Sequence, residues 1–209
     1  MVVTSIQEYD KRKVLIQLDE HLIFPLYKSE INDFYLSEGD DISAEVYSEI
    51  MNSLLPKRAK LRAMNLLQKH SYTKELLRRK LTDDKYPENI ITEAIHYVES
   101  YGYIDDGRYA EEYIRCYCES RSKRRIMQDL IVKGIVKEVA QSAWEHYEAV
   151  NEPVDEISQI KALLRKKHYD AQSTDYKETV RIMNYLYRKG YRKDNIMRCM
   201  KCDELYTNM

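Results

Sequence analysis

The stretch that decides the fold is Ile126-Met127-Gln128-Asp129-Leu130-Ile131-Val132-Lys133-Gly134-Ile135, a helix end followed by a turn into another helix. The same pattern occurs twice more, since residues 76–81 lead to Lys85-Tyr86 and residues 182–186 lead to Gly190-Tyr191. Glycine at a helix C-terminus takes a left-handed backbone without steric cost, and the apolar residue after it can fold back on the helix. Self-similarity of this kind predicts an array of similar structural units.

Two further amphipathic helices flank each copy of this pattern, and both have apolar residues at helical spacing. The stripes predicted for the third helix of each unit are Ile90, Ile91, Ala94, Ile95 and Val98, then Val139, Ala140, Ala143 and Trp144, then Ile196, Met197 and Met200. Those predicted for the first helix are Leu61, Leu66 and Leu67, then Tyr109, Tyr113 and Ile114, then Ile160, Leu163 and Leu164. A three-helix unit this short cannot bury all its apolar faces alone, so neighbouring units should stack.

The first 55 residues have a different pattern. Residues 2–9, 13–19 and 22–27 are short segments rich in β-branched and aromatic side chains, and a turn at 19–21 would join the last two into a hairpin. Asp41 and Ser43 are candidate N-caps of a helix that ends at about residue 55. This part therefore predicts a small β-hairpin module with one helix.

We predict a mainly α fold with three tandem three-helix repeats in an elongated, curved array, preceded by a β-hairpin and helix module. The predicted domains are 1–55 for the N-terminal extension, 56–104 for the first repeat, 105–150 for the second and 151–209 for the third. Such a body is suited to binding another macromolecule, and we do not expect it to be an enzyme.

Composition restricts the class of protein. The chain has 5 Gly and 4 Pro in 209 residues, too few turn residues for a sandwich or barrel. No apolar run approaches the roughly 20 residues that span a bilayer, and the N-terminus lacks the pattern of a signal peptide. We expect a cytoplasmic protein without membrane contact, whose four Cys stay reduced.

The net charge of −1 conceals an asymmetry along the chain. Residues 1–55 contain 4 Lys/Arg and 11 Asp/Glu, whereas residues 56–209 contain 30 and 24, so the two parts have net charges of −7 and +6. A mildly basic helical region can contact nucleic acid or an acidic protein surface, although it lacks the strong excess typical of a dedicated DNA-binding protein.

The junction between the first and second repeats is Gly102-Tyr103-Ile104-Asp105-Asp106-Gly107-Arg108-Tyr109-Ala110. This stretch resembles the signature of the RecX family, bacterial regulators of the RecA recombinase. Glu75-Leu76 with Lys80-Leu81, and the turn Lys133-Gly134-Ile135, agree with the same family. Residues 57–147 carry most of the resemblance. Lys85 stands where the family usually has Gly, and residues 122–125 (Ser-Lys-Arg-Arg) also depart from its pattern.

The resemblance implies a cytoplasmic monomer that lies in the groove of a RecA filament on single-stranded DNA. There it would restrain ATP hydrolysis, strand exchange or filament growth, a role in DNA repair and the SOS response. It implies no cofactor. A helical protein that binds single- or double-stranded DNA without RecA is the alternative.

Basic residues occur in clusters in every repeat and are the candidate contacts with RecA or DNA. A periodic strip of cations suits phosphates or acidic side chains along a filament, although a run of charge on a helix is often only a solvated face. The candidates are Arg58, Arg62, Arg78, Arg79, Arg121, Arg124, Arg125, Arg165, Lys166, Lys167 and Arg192. Arg124 and Arg125 are the first choice, because cations at a helix start are disfavoured by the helix dipole.

The family-motif residues have a structural interpretation. Asp105 and Asp106 could form a carboxylate pair for metal binding or acid–base catalysis, but Asp just before a helix more often caps free N–H groups. We predict that Gly102, Tyr103, Asp105, Asp106, Arg108 and Tyr109 form a joint between repeats.

The remaining chemistry-bearing residues suggest no catalytic site. Cys116 and Cys118 lie two apart on a predicted helix and point in different directions, so convergence with Cys199 and Cys202 on zinc is not expected. The five His have no ligand or triad spacing, and no Gly-x-x-x-x-Gly-Lys phosphate loop is present. We expect neither a metal nor direct use of ATP.

Overall fold

The computed structural model describes residues 1–19, 21–151 and 155–200, and it divides the chain into two compact units, Met1–Asp105 and Asp106–Met209. The first unit contains β1 (Val3–Glu8), β2 (Lys13–Leu18), β3 (Leu22–Tyr27), α1 (Lys28–Asp33), α2 (Ala44–Glu49), α3 (Leu55–Leu67), α4 (Lys74–Asp83) and α5 (Glu88–Ser100). The second contains α6 (Asp106–Tyr117), α7 (Lys123–Val132), α8 (Lys137–Val150), α9 (Glu156–Lys166), α10 (Tyr176–Arg188) and α11 (Lys193–Met200). The predicted mainly α fold with a small N-terminal β element is confirmed.

The three N-terminal segments pair as an antiparallel sheet in the order β1-β2-β3. Ile16 in the central strand lies opposite Ile6 on one side and Phe24 on the other. Side chains alternate between the two faces of β2, and Val14, Ile16 and Leu18 are buried, so they mark the face of the sheet that packs on the core. All three predicted segments are therefore strands of one sheet, which extends the expected hairpin by a strand.

The helix expected to end near residue 55 continues into the first repeat. Between α2 and α3 lies a π-helical segment, Ile50–Leu54, and the Leu55 N–H donates to the Ile50 carbonyl five residues back. Pro56 has no N–H to donate, and it occupies the first turn of α3, where proline is tolerated. The wider turn thus joins two helices that the sequence suggested were separate.

The sheet and the first repeat share one hydrophobic core. It includes Phe24 and Leu26 from β3, Leu55 from α3 and Leu81 from α4. The prediction of Leu61 as a core residue is wrong, since 59% of it is exposed. The buried face of α3 consists instead of Leu55, Pro56, Ala59 and Ala63, and its small alanines let α3 approach α5 closely.

The second unit contains two core clusters. One is built around Ile114, Leu130 and Trp144 from α6, α7 and α8, and the other around Ile160, Leu186 and Ile196 from α9, α10 and α11. The finer domain boundaries given by the sequence stay a prediction.

The three predicted turns have one geometry. Lys85, Gly134 and Gly190 all have positive φ, at 66°, 88° and 88°. In each turn the following N–H donates to the carbonyl of the anchor leucine, Leu81, Leu130 or Leu186. The apolar residues Tyr86, Ile135 and Tyr191 are buried behind these turns. The helix-end pattern predicted from sequence is therefore confirmed at every copy, including the one where lysine replaces glycine.

Candidate partner interface

Gly190 brings the turn after α10 against the start of α7. The Ser122 N–H donates to the Lys189 carbonyl at 3.2 Å, and the Lys189 ammonium donates to the Ser120 carbonyl at 3.0 Å. A Cβ on Gly190 would lie 2.5 Å from the Ser122 Oγ and 2.6 Å from the Arg125 Cβ. Burial, then the nearby charges of Arg121 and Lys167, lower the pKa of Lys189. Cations of the second and third repeats therefore meet here at close range.

Asp129 on α7 is the carboxylate that neutralises two of the predicted contact residues. Its oxygens lie 2.5 Å from the Arg121 guanidinium and 2.9 Å from that of Arg125. The Tyr113 hydroxyl donates to Asp129 at 3.2 Å and accepts from Arg121 at 2.8 Å. Burial, with the Asp129 charge second, raises the pKa of Tyr113 to about 12. Arg121 and Arg125 thus have a structural role that the sequence did not suggest.

Aromatic rings continue this network along α6. Tyr109, Tyr113 and Tyr117 follow at intervals of one helical turn, and the Tyr113 and Tyr117 ring centroids are 4.5 Å apart. The Arg121 guanidinium lies 4.2 Å from the Tyr117 centroid, and the Lys133 ammonium 5.3 Å from that of Tyr113. In the sequence, this row of rings could have been recognised from the four-residue spacing of Tyr109, Tyr113 and Tyr117, which places them on one face of a helix.

In the first unit the predicted cations also have intramolecular partners. Arg58 pairs with Glu30 and lies over the Tyr27 ring, 4.2 Å from its centroid. The Arg62 Nε donates to Asp84 at 2.7 Å. Arg58 thereby holds the N-terminal module against the first repeat.

Arg78 and Arg79, next to each other on α4, are paired too. Arg78 pairs with Glu88, and its guanidinium also donates to the Thr92 hydroxyl at 3.3 Å. The Arg79 Nε donates to Glu75 at 2.8 Å within the same helix. Exposed ion pairs contribute about 0.2–1 kcal/mol each, so these arginines are partly available to other acids.

The remaining predicted contacts are exposed. In the parts of the chain that the structure describes, Arg124, Arg165 and Lys166 have no ion pair. The Lys167 ammonium lies 4.9 Å from the Tyr185 centroid, and Arg192 is 3.9 Å from Asp194 with most of its side chain in solvent.

Arg124 and Arg192 border the same cleft, although they are far apart in sequence. Its volume is about 520 Å³, and its lining is Ser122, Lys123, Arg124, Trp144, Glu148, Glu156, Gln159, Gly190 and Arg192. The Lys123 ammonium lies over the Trp144 ring at 5.0 Å and 3.4 Å from Glu148. The cleft therefore combines cations with carboxylates, a lining suited to a mixed polar surface better than to a polyanion.

Among the described residues, those singled out for metal chemistry do not converge. Cys118 is buried with its Sγ 3.0 Å from the Tyr147 hydroxyl, whereas Cys116 is exposed. The Cys199 Sγ is 3.9 Å from the Ile157 carbonyl, and Cys202 lies outside the described residues. Among the residues described, no group of three His, Cys, Asp or Glu could hold a metal, and no helix is long and apolar enough to cross a membrane.

Comparison with known proteins points to one family. Residues 105–143 match the model of the second three-helix domain of RecX, and residues 155–200 match that of its third. The regulatory protein RecX of Caldanaerobacter subterraneus subsp. tengcongensis is 27% identical over 202 residues, covering 96% of this chain and 98% of that one. The regulatory protein RecX of Clostridium acetobutylicum is 28% identical, with coverage of 95% and 94%. The chain is thus similar to RecX regulatory proteins over nearly its whole length, and two of its segments match RecX three-helix domains.

Solved RecX structures share the fold. A regulatory protein RecX aligns over 97% of this chain and 99% of its own, with a TM-score of 0.57 and 20% identity. RecX from Lactobacillus salivarius aligns over 72% of this chain and 97% of its own, with a TM-score of 0.54 and 22% identity. The relatives from Caldanaerobacter and Clostridium are named regulatory proteins.

The RecX-like junction spans the boundary between the two compact units. Gly102 has φ 69°, Ile104 is buried, and Asp106 lies in the first turn of α6, where the helix dipole favours a carboxylate. The Tyr103 ring is half exposed and stacks on Tyr101, with centroids 6.1 Å apart. The role of Asp105 and Arg108 in a joint stays a prediction.

Proposed function

We propose that this protein binds the RecA filament on single-stranded DNA and inhibits its ATPase and recombinase activities. It acts as a cytoplasmic monomer in DNA repair and recombination, catalyses no reaction itself and needs no cofactor. The observation that carries the proposal is the similarity to RecX regulatory proteins, which covers nearly the whole chain and nearly the whole of each relative.

The charge distribution supports a protein partner over bare DNA. Seven of the predicted contacts have carboxylate partners within the molecule: Arg58, Arg62, Arg78, Arg79, Arg121, Arg125 and Arg192. An arginine that is already paired displaces few counterions when it meets a phosphate. Counterion release, which drives non-specific DNA binding, therefore contributes little to the affinity of this protein for DNA. A filament offers protein surface as well as phosphate, and Arg124, Arg165 and Lys166 remain exposed for it.

RecA's ATP hydrolysis on single-stranded DNA tests the proposal. Added protein should lower the rate in a saturable manner and should hydrolyse no ATP alone. Arg124→Ala should weaken the effect, whereas Arg181→Ala, a control at an arginine with 80% of its side chain exposed on α10, should not. An unchanged rate at equimolar and excess protein overturns the proposal, and a salt-sensitive gel shift without RecA would support the DNA-binding alternative.

A further inference from the structure

Three aliphatic side chains are exposed around the turn between α7 and α8. Ile131 is 49% exposed, Val132 66% and Val136 59%, and all three lie within six consecutive residues. The turn itself is held by backbone hydrogen bonds, from the Gly134 N–H to the Ile131 carbonyl and from the Ile135 N–H to the Leu130 carbonyl. Single exposed aliphatics are ordinary, but several together mark an interaction surface. We call these three residues the α7–α8 apolar patch.

The fold does not require aliphatic residues at these positions. The same turn occurs in the other two repeats, with the same backbone hydrogen bonds and a positive φ at Lys85 and Gly190. Aligned on the anchor leucines, Asp83 and Arg188 stand where Val132 stands. Pro87 and Arg192 stand where Val136 stands. The second repeat alone combines the turn with exposed branched aliphatics, so their presence needs a reason other than stability.

Cations border the α7–α8 apolar patch. Lys133 and Lys137 each follow a patch valine directly, and Lys137 is exposed. Arg124 lies seven residues before Ile131, on the same face of α7 and about 10 Å along its axis. Glu138, in the first turn of α8, is the nearest exposed carboxylate in sequence. An apolar centre with a mainly basic border is the anatomy of a protein interface.

We infer that the α7–α8 apolar patch docks on the protein surface of RecA in the filament, at an apolar depression bordered by carboxylates. The inference rests on the proposed function and adds to it the contacting element and the chemistry of the partner surface. A DNA backbone would neutralise the cations but leave Val132 and Val136 in water. A protein surface with carboxylates around an apolar centre pairs with the cations and also covers the valines. Burial of the valines adds hydrophobic free energy, and the ion pairs fix the orientation of the two proteins.

The test is the double variant Val132→Ser, Val136→Ser in the full chain. Serine and valine have similar helix propensity, so Val132→Ser leaves α7 intact. Val136 is the N-cap of α8 and makes no side-chain cap bond, so serine there adds a cap and keeps the protein folded. Val150→Ser is the matched control, because Val150 is 70% exposed at the other end of α8, about 20 Å away.

Binding to immobilised RecA filaments on single-stranded DNA, and to the same DNA without RecA, is measured for all three proteins. We expect the double variant to bind filaments at least about tenfold more weakly than wild type, the difference typical of a lost interface centre. Its binding to bare DNA and its urea midpoint should be unchanged, and Val150→Ser should match wild type.

Two results overturn the inference while leaving the proposed function in place. One is filament binding by the double variant equal to that of wild type. The other is an equal loss of binding to filaments and to bare DNA, which would assign the patch to nucleic acid. If wild type itself fails to bind filaments, the proposed function and the inference both fall.

Discussion

Replacing Gly190 by alanine should destabilise the second unit by more than its backbone angle alone predicts. Gly190 has φ 88°, a conformation that costs an L-residue about 1–2 kcal/mol. The new Cβ would also lie 2.5 Å from the Ser122 Oγ and 2.6 Å from the Arg125 Cβ. Overpacking of this kind costs about 1–3 kcal/mol. The combined expectation is a loss of about 2–5 kcal/mol in the free energy of unfolding.

Gly39→Ala provides the matched control for this experiment. Gly39 has φ 89°, yet a Cβ there would meet nothing within 4 Å, so only the backbone cost of about 1–2 kcal/mol remains. Urea unfolding of Gly190→Ala is followed by the fluorescence of Trp144, the single tryptophan, and that of Gly39→Ala by circular dichroism. If Gly190→Ala costs no more than Gly39→Ala, the α10 turn does not approach Ser122 closely enough to exclude a side chain at position 190.

Three further predictions concern the network on α7 and three tyrosines whose pKa is raised. Asp129→Asn should cost about 1–3 kcal/mol in urea unfolding, because Arg121 and Arg125 lose their shared carboxylate; an unchanged midpoint would show that the network is dispensable. Arg125→Ala should cost about 0.3–0.5 kcal/mol, whereas Arg124→Ala should leave the midpoint unchanged, and equal losses would contradict the difference in pairing. Burial raises the pKa of Tyr86 and Tyr113 to about 12, and the hydrogen bond with Cys118 does the same for Tyr147, so an absorbance titration should show tyrosines that ionise well above pH 10. Because the folded pKa is the higher one, the stability from these groups is complete below pH 10 and is lost as the pH rises towards 12; a single titration step near pH 10 would refute this.

The sequence predicted the turns well because their physics is local. A glycine or lysine with positive φ, an anchor leucine and an apolar residue that folds back are all fixed within about ten residues, so Leu130, Gly134 and Ile135 could be placed without tertiary information. The buried stripe of α5 was equally clear, because Ile90, Ile91, Ala94, Ile95 and Val98 repeat at helical spacing and all are buried.

Features that depend on contacts between distant residues could not be predicted. Hydrophobicity favoured Leu61 over Ala59 and Ala63, but the close packing of α3 on α5 selects the alanines. Pro56 suggested that the helix ends before it, but the π-helical segment Ile50–Leu54 connects α2 to α3 without a break.

The candidate interface shows the same limit. Arg121 and Arg125 were chosen as cations in a basic run. Asp129 pairs with Arg125 from one turn further along α7, but it also pairs with Arg121, which precedes α7, and Arg121 donates to Tyr113 on α6 as well. Charge in a sequence indicates which residues can bind a partner. The structure decides which of them are already engaged, and here it separates Arg124 from its neighbour Arg125.

Filament binding is tested most directly by comparing how the fluorescently labelled protein binds single-stranded DNA with and without RecA, at one salt concentration. Anisotropy should show saturable binding to the RecA-coated strand, and binding to the bare strand should be at least about tenfold weaker, because most candidate cations are already paired. Equal or tighter binding to the bare strand would contradict the claim that this protein acts on the filament.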